Sequence, residues 1–185
     1  MASGAAIDQE LRRPWRIYLV GFMAAGKTTT GAALAELLEG RFVDLDQAIE
    51  AQSGASVRAI FERHGEEYFR DLEHHSLERT EELEAAVIAT GGGTMTFERN
   101  RALMSRLGTS VWLDPSFETV LSRLGFSGRA KRPMFRDEEQ ARALYRQRRD
   151  AYRMADVRVE VPPGGTARSV AASIALLLRE RSCVI

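Results

Sequence analysis

The residues with the clearest chemical meaning lie at positions 21–28, where the chain reads GFMAAGKT. This segment fits the pattern G-x-x-x-x-G-K-[ST], in which glycines let the backbone curl so that successive N–H groups point at phosphate oxygens. Lys27 then reaches the β- and γ-phosphates of a nucleotide, and the hydroxyl group of Thr28 ligates Mg²⁺. The alternative is a glycine-containing turn with a chance lysine. An apolar segment before the pattern and a helical segment after it favour the phosphate-binding loop.

Two carboxylates follow the second apolar run of the chain, in the segment FVDLD at positions 42–46. Alternate residues of a strand share a face, which predicts that Asp44 and Asp46 lie side by side. Such a pair can hold a hydrated Mg²⁺ and accept a proton from a substrate hydroxyl. The alternative is that Asp46 caps a helix beginning at Gln47. The residues by themselves leave both interpretations open.

Basic residues outnumber acidic ones between positions 123 and 158, and the reverse holds between positions 36 and 84. An excess of arginine suits bidentate binding of carboxylate and phosphate. A solvated helix face is the alternative, and we favour it for Arg142, Arg146 and Arg149. A nucleic-acid surface is disfavoured, because exposed aromatic residues are not interleaved with the arginines and the chain as a whole is not basic.

The elements that must position these residues alternate between apolar runs and helical patterns. Strands are predicted near residues 15–20, 41–45, 86–90, 110–113 and 157–161, and helices near 27–38, 65–83, 97–107 and 166–179. This alternation predicts a three-layer α/β fold with a five-stranded parallel sheet between helices. Three glycines at 91–93 follow the third strand, where they form either a ligand-contacting loop or a flexible turn. Such sheets bind ligands beyond the carboxyl ends of their strands.

Composition narrows the class of protein further. The chain has 185 residues and 26 basic residues against 26 acidic ones, which argues against bulk attraction to nucleic acid or membranes. Cys183 is the single cysteine, which predicts a reducing, cytoplasmic compartment and a monomer without a disulfide. No apolar run is long enough for a membrane span, and the three histidines have no zinc-site spacing. Residues 1–14 predict a flexible leader, followed by a single domain over residues 15–185.

The motifs together resemble those of the shikimate kinase family, in order and over most of the chain. The phosphate-binding loop is similar to G-F-M-G-x-G-K-[ST], and residues 42–46 are similar to F-x-D-x-D. Residues 65–73 read GEEYFRDLE and resemble G-E-x-x-F-R-x-x-E. The glycine triplet, the tripeptide KRP at 131–133 and the late Arg148 complete the resemblance. It implies a P-loop kinase that transfers a phosphoryl group from ATP to shikimate.

The resemblance also implies roles for the residues that would hold ATP and its metal ion. The ATP phosphates are held by the loop residues Ala24, Ala25, Gly26, Lys27, Thr28 and Thr29. Thr28 ligates Mg²⁺ directly, and Asp44 supports the metal through water. Arg132 lies on a mobile lid over residues 126–141 and closes on the phosphates. The loop at residues 161–165 contacts the adenine.

For the substrate, the resemblance implies that Asp46 binds the ring hydroxyls and orients or deprotonates the attacking one. Arg70 and Arg148 clamp the substrate carboxylate beside the triplet Gly91, Gly92 and Gly93. Lys27, Asp46 and Arg132 are thus the predicted catalytic residues.

The sequence departs from the family pattern at two positions that bear on the site. Ala24 replaces a glycine in the phosphate-binding loop, and Phe135 replaces a leucine in the lid. Three functions stay open at this point. They are a shikimate kinase, a related kinase for aminoshikimate, a cyclitol or gluconate, and a nucleotide-binding homologue without catalysis. The carboxylate-binding arginines argue against a cyclitol, whereas aminoshikimate keeps the carboxylate.

Overall fold

The computed structural model describes residues 14–130 and 138–181, with side chains up to residue 124 and again from residue 138. The predicted leader, apart from Pro14, lies outside these ranges. So do Arg132, Phe135 and the rest of the central part of the predicted lid. Of that lid, residues 126–130 form the end of one helix and residues 138–141 form the start of the next.

Five parallel strands form the centre of the molecule. They are β1 (Trp15–Val20), β2 (Arg41–Asp44), β3 (Ala85–Ala89), β4 (Thr109–Pro115) and β5 (Val157–Val161). Their order in the sheet is β2-β3-β1-β4-β5, and every neighbouring pair is parallel. The predicted five-stranded parallel sheet is therefore confirmed, with strand bounds close to those read from the apolar runs.

Helices cover both faces of this sheet. They are α1 (Lys27–Leu37), α2 (Leu45–Ser53), α3 (Val57–Glu78), α4 (Glu98–Leu107), α5 (Phe117–Ala130), α6 (Glu138–Tyr152) and α7 (Ala167–Glu180). Short 3₁₀ helices lie between α3 and β3, at Arg79–Glu82, and between β3 and α4, at Thr94–Thr96. None of the helices in the described ranges is long and apolar enough to span a membrane.

Two apolar cores, one on each face of the sheet, result from the alternation of side chains along the strands. Tyr18 and Val20 of β1 face the first core, which contains apolar residues of α3, α4, α5 and α6. Ile17 and Leu19 face the second core, which contains residues of α1 and α7. Strands buried on both faces are typical of parallel sheets, and this burial accounts for their continuous apolar runs. The three-layer prediction is confirmed.

The helix predictions were less complete than the strand predictions. The helix predicted from residue 65 begins earlier, at Val57, because Ser56 caps it by accepting a hydrogen bond from the Ala59 N–H at 3.2 Å. Gly65, at φ 83°, interrupts its geometry near the predicted start. Helix α5 was not predicted, and α2 was considered only as the alternative in which a helix begins at Gln47. Helix α2 has nine residues, of which Leu45 and Ile49 are buried. Such a short helix carries little periodic signal.

Candidate active site

A cleft of about 570 Å³ opens at the carboxyl edge of the sheet. Its walls come from the loop after β1, the end of β2, helix α3, the loop after β3, and helices α5 and α6. The lining includes Met23, Ala24, Gly26, Lys27, Thr28, Thr29, Asp44, Asp46, Phe61, Phe69, Arg70, Glu73, Gly91, Gly92, Gly93, Arg123 and Arg148. The predicted position beyond the carboxyl ends of the strands is therefore the observed one.

The phosphate-binding loop joins β1 to the first turn of α1. Gly26 precedes the helix at φ 99°, in the left-handed region that glycine adopts without strain. Lys27 begins the helix, and its ammonium group donates to the carbonyl oxygens of Gly21 at 2.8 Å and Phe22 at 3.0 Å. The lysine thus lies along its own loop, with the N-terminus of α1 beside it. This arrangement concentrates positive charge where phosphate would bind.

Ala24 and Ala25 behave differently within this loop. Ala24 lines the cleft at φ 58°, a left-handed conformation that costs an L-residue about 1–2 kcal/mol. Ala25 is 1% exposed, and its N–H donates to the Phe22 carbonyl oxygen at 3.1 Å. The backbone N–H of Ala25 thus donates within the loop, and the predicted contact of Ala25 with phosphate stays a prediction.

Asp44 links the end of β2 to both Thr28 and helix α2. Its Oδ2 accepts a hydrogen bond from the Thr28 hydroxyl at 2.7 Å. Its Oδ1 accepts from the N–H groups of Asp46 at 3.1 Å and Gln47 at 3.3 Å, which makes Asp44 the cap of α2. Such a cap contributes about 1 kcal/mol.

This geometry corrects the strand argument for the two carboxylates. Asp46 lies in the first turn of α2, not on a strand, and Asp44 rather than Asp46 is the helix cap. Both aspartates nevertheless line the cleft, since the strand ends and the helix begins at its wall. The two carboxylates thus share the cleft as predicted, but because a helix begins there and not because they alternate along a strand.

Asp46 is the carboxylate with the most perturbed acidity in the cleft. Burial raises its pKa from 3.8 to about 6, the nearby Lys27 opposes this increase, and Glu73 and Asp44 add to it. Because the folded-state pKa lies above the unfolded one, the stability that this group contributes is complete below about pH 4 and is lost as the pH rises through about 6. A carboxylate of this kind suits general-base work near neutral pH.

Arg70 of α3 lines the cleft, and its side chain is largely buried. It is 9% exposed, and its Nη1 donates to Glu73 at 3.1 Å while Nε and Nη2 donate to Glu66 at 3.1 and 2.9 Å. Three aromatic rings surround the guanidinium within 6 Å, those of Phe61, Phe69 and Phe97. Bonds inside the described chain use three of the five N–H groups of a guanidinium, which leaves donors for a carboxylate.

The glycine triplet packs directly against these charged groups. A side chain at Gly93 would begin 2.8 Å from Nη2 of Arg70, and one at Gly91 would begin 2.5 Å from Oε1 of Glu73. Glu73 is fully buried and accepts from the Thr94 hydroxyl at 2.6 Å, which ties it to the turn after the triplet. The close approach accounts for glycine at positions 91 and 93, and the ligand-contacting role of the triplet stays a prediction.

Arg148 comes from α6 on the opposite side of the triplet. A side chain at Gly92 would begin 3.4 Å from its Nη1, and its guanidinium lies 5.9 Å from the ring centre of Phe22. The neighbouring Arg149 points away from the cleft and pairs with Asp114 at 2.9 Å. Two adjacent arginines therefore have different surroundings, and the solvated face expected for Arg149 is instead partly buried.

A smaller pocket of about 180 Å³ extends the cleft past the phosphate-binding loop. It is bordered by Gly26, Thr29, Arg123, Gly165 and Thr166. Nη1 of Arg123 donates to the Ala25 carbonyl oxygen at 2.8 Å, which holds that arginine against the loop. The pocket thus brings the end of the predicted adenine loop next to the predicted phosphate site.

Comparison with known proteins agrees with this geometry. The family model described as shikimate kinase matches residues 23–179. The chain belongs to the shikimate kinase family. Members of this family use ATP to phosphorylate a hydroxyl group of a small molecule, so this chain is an ATP-dependent kinase, and the predicted family resemblance and kinase activity are confirmed.

Individual members of the shikimate kinase family support the assignment over most of the chain. A shikimate kinase from Sulfurihydrogenibium sp. is 43% identical over 144 residues, covering 77% of this chain and 86% of the relative. One from Geobacter sulfurreducens is 40% identical over 167 residues, covering 89% and 91%. The solved structure of Acinetobacter baumannii shikimate kinase in complex with shikimate matches with a TM-score of 0.84 at 37% identity, covering 94% of this chain and 97% of that one.

The structure of this kinase brings most of the predicted site residues to one cleft, with Ala25 behind the loop and Arg132 outside the described ranges. Sequence reasoning gave no role to Thr94, Phe61 or Phe97, which support Arg70 and Glu73 from other segments. It also gave no role to His74, whose Nδ1 lies 2.7 Å from the side-chain oxygen of the buried Asn100. No local motif marks such long-range contacts.

Proposed function

We propose that this kinase transfers the γ-phosphoryl group of ATP to the 3-hydroxyl group of shikimate, giving shikimate 3-phosphate for aromatic amino acid biosynthesis. One observation carries the choice of acceptor. The cleft that contains Lys27 also contains two arginines from different helices, Arg70 and Arg148, on either side of a glycine triplet. Two guanidinium groups facing one small space favour an acceptor with a carboxylate.

On the substrate side, Arg70 and Arg148 bind the carboxylate while the Gly92 backbone lies beside the ring. Gly91 and Gly93 carry no side chain, so Glu73 and Arg70 pack directly against the triplet at the wall of the cleft. Asp46 binds the ring hydroxyl groups from the other wall. With a pKa of about 6, it is ionised at neutral pH and can accept the proton of the attacking hydroxyl.

On the nucleotide side, Lys27 and the loop backbone from Ala24 to Thr29 hold the phosphates. Lys27 moves from the carbonyl oxygens of Gly21 and Phe22 to phosphate oxygens, which are better acceptors for a cation. Arg123 and the loop at 161–165 border the space for adenine. Phosphoryl transfer needs positioning and charge neutralisation more than covalent chemistry, and these groups supply both.

The residues around Thr28 fit Mg²⁺. The Thr28 hydroxyl and Oδ2 of Asp44 are 2.7 Å apart, and both are oxygen ligands of the kind that Mg²⁺ prefers. Mg²⁺ usually takes one or two protein oxygens and completes its shell with phosphate and water. Thr28 would bind it directly and Asp44 through water, and the ion would neutralise charge on the phosphates.

Three further predictions belong to this proposal. Residues 15–185 form one kinase domain, whose lid over 126–141 brings Arg132 onto the phosphates and excludes water during transfer. The enzyme acts as a monomer, since the predicted site draws on one chain only. It works in the cytoplasm, where ATP is available.

The deciding experiment measures ADP release from purified protein with Mg·ATP, with and without shikimate, beside the Lys27→Ala variant. We expect release to depend on shikimate. The variant should lose about 100- to 1,000-fold in kcat, because it lacks a positioned charge on the transferring phosphoryl group. A matched control is Arg146→Ala, which removes an exposed cation of α6 from outside the cleft.

A panel of aminoshikimate, a cyclitol and gluconate identifies the acceptor. Release with aminoshikimate exceeding that with shikimate would replace the proposed substrate and keep the carboxylate clamp. ATP binding without release for any acceptor would instead indicate a nucleotide-binding homologue without catalysis.

A further inference from the structure

Tyr152 is a buried residue at the end of α6 to which the proposed reaction assigns no role. It is 1% exposed, and its hydroxyl group donates to the Gly92 carbonyl oxygen at 2.6 Å. The guanidinium of Arg148, one helical turn earlier, lies beside the same glycine, since a side chain at Gly92 would begin 3.4 Å from its Nη1, and it acts, against the larger effect of burial, to lower the pKa of the hydroxyl. The phenol oxygen therefore binds the glycine triplet close to the arginine.

The phenol is well suited to hold both groups at once. Its proton is donated to Gly92, which leaves the lone pairs of the oxygen to face the nearby Arg148 guanidinium. Burial raises the pKa of Tyr152 well above its usual value, so the donated proton stays in place across the working pH range. Packing of its ring against Trp112, with ring centres 6.0 Å apart, fixes the position of the hydroxyl.

The bond to Gly92 also orients the triplet. A peptide group is planar, so holding the Gly92 carbonyl oxygen fixes the direction of the Gly93 N–H as well. Glycines have the widest choice of backbone conformations, and a loop of three needs such restraints to keep one geometry. The restraint on this side comes from α6, whereas Arg70 and Glu73 restrain the other side from α3.

We infer that Tyr152 is a positioning residue for substrate binding, which sets the distance between the Arg148 guanidinium and the Gly92 backbone. Arg148 and Gly92 lie on segments far apart in sequence, and the tyrosine bridges them by side-chain contact. Without the Tyr152 hydroxyl, Arg148 and Gly92 would both remain available to the substrate, but the distance between them would no longer be fixed. The inference rests on the proposed substrate-binding role of Arg148.

The same helix supplies a matched control. Tyr145 is 6% exposed, its hydroxyl donates to the Pro115 carbonyl oxygen at 2.8 Å, and it accepts from Arg149 at 3.1 Å. Tyr145 and Tyr152 thus each donate to a backbone carbonyl oxygen and lie near an arginine of the same helix. Neither tyrosine lines the cleft, but Gly92 and Arg148 beside Tyr152 do, whereas Pro115 and Arg149 beside Tyr145 do not.

The test compares Tyr152→Phe with Tyr145→Phe, each of which removes one buried hydroxyl and keeps the ring. We expect both variants to show similar losses of Tm. Tyr152→Phe alone should raise the KM for shikimate, about five-fold or more for a weakened charged hydrogen-bond contact. The KM for ATP should stay within about two-fold in both, since the phosphate-binding loop is untouched. In an Arg148→Ala background, Tyr152→Phe should add little, because coupled residues are not additive.

Equal KM values for shikimate in the two variants would overturn the inference, as would a Tyr152→Phe chain that fails to fold where Tyr145→Phe folds. The second outcome would make Tyr152 a structural anchor of α6. If the proposed function is wrong, the result differs, because the wild-type protein itself then releases no ADP with shikimate. That result would also overturn the inference about Tyr152.

Discussion

The two halves of the cleft are built in different ways. The phosphate-binding part of the nucleotide half comes from one continuous segment, residues 21–29, whose shape follows from its glycines, its turn bonds and the first turn of α1. The substrate half comes from four segments, which contribute Asp46, Arg70, the glycine triplet and Arg148. They meet only because β2, β3 and helices α3 and α6 pack around the same edge of the sheet.

This difference predicts which substitutions impair ligand binding in each half. A phosphate group is held largely by backbone N–H groups and a helix end, which side-chain substitutions elsewhere hardly move. A carboxylate held by two arginines depends on the positions of two helices, and each arginine needs its own support. Arg70 has carboxylates and aromatic rings around it, while Arg148 has Tyr152 and the Phe22 ring. Substitutions at or beside these arginines should therefore weaken binding of the acceptor while leaving ATP binding unchanged.

The largest effect on turnover in the substrate half should come from Asp46→Asn. We expect kcat to fall by about 100- to 10,000-fold, because a positioned general base contributes that much. ATP binding and the fold should survive, which nucleotide titration and circular dichroism would check. The exposed Asp150→Asn on α6 is the control, and near-normal turnover in Asp46→Asn would remove its proposed role.

Arg148→Ala should separate the two halves most clearly. We expect the KM for shikimate to rise by about 10- to 100-fold, as for the loss of charge-assisted hydrogen bonds of about 1.5–3 kcal/mol. The KM for ATP should hardly change, because Lys27 and the N-terminus of α1, and not Arg148, hold the phosphates in the proposed reaction. Steady-state kinetics in both substrates measure this, with Arg146→Ala as the exposed control on the same helix. Unchanged shikimate kinetics would contradict the carboxylate clamp.

The pH dependence of kcat/KM for shikimate should report the pKa of Asp46 in the substrate half. With a pKa of about 6 for Asp46, kcat/KM for shikimate at saturating ATP should rise about ten-fold between pH 5 and pH 7 as the carboxylate ionises. A ¹³C titration of labelled aspartates would assign the group, since its signal should be absent from Asp46→Asn. An aspartate set that titrates entirely near 4 would show that burial does not raise the pKa of Asp46.

The smallest effect is expected in the nucleotide half, for Ala24→Gly. Relief of the left-handed conformation, about 1–2 kcal/mol, exceeds the backbone entropy that a glycine loses on folding, about 0.5–1 kcal/mol. Tm should therefore rise by about 1–4 °C, measured by calorimetry. Ala25→Gly should lower Tm instead, because Ala25 is buried and has no positive φ. A lower Tm for Ala24→Gly would contradict this account of the loop.

Prediction from sequence succeeded where the signal was local and periodic. The strands were found from apolar runs, because a strand buried on both faces has few polar residues. The phosphate-binding loop was found from spacing alone. The pair of aspartates was also found, but by an argument about strand alternation that the helical position of Asp46 contradicts. Helix α5 and the first turns of α3 were missed, and α2 was only an alternative interpretation, since a short helix gives weak periodicity.

The sequence by itself determined the nucleotide half and the order of the elements, because a loop closed by its own residues needs no distant partner. Only the tertiary structure decided how Arg70 is buried among rings and carboxylates, how Glu73 meets Thr94, and that Tyr152 reaches Gly92. These contacts join residues that are far apart along the chain. Their physical basis is packing across layers and hydrogen bonding of buried polar groups, neither of which leaves a spacing in the sequence.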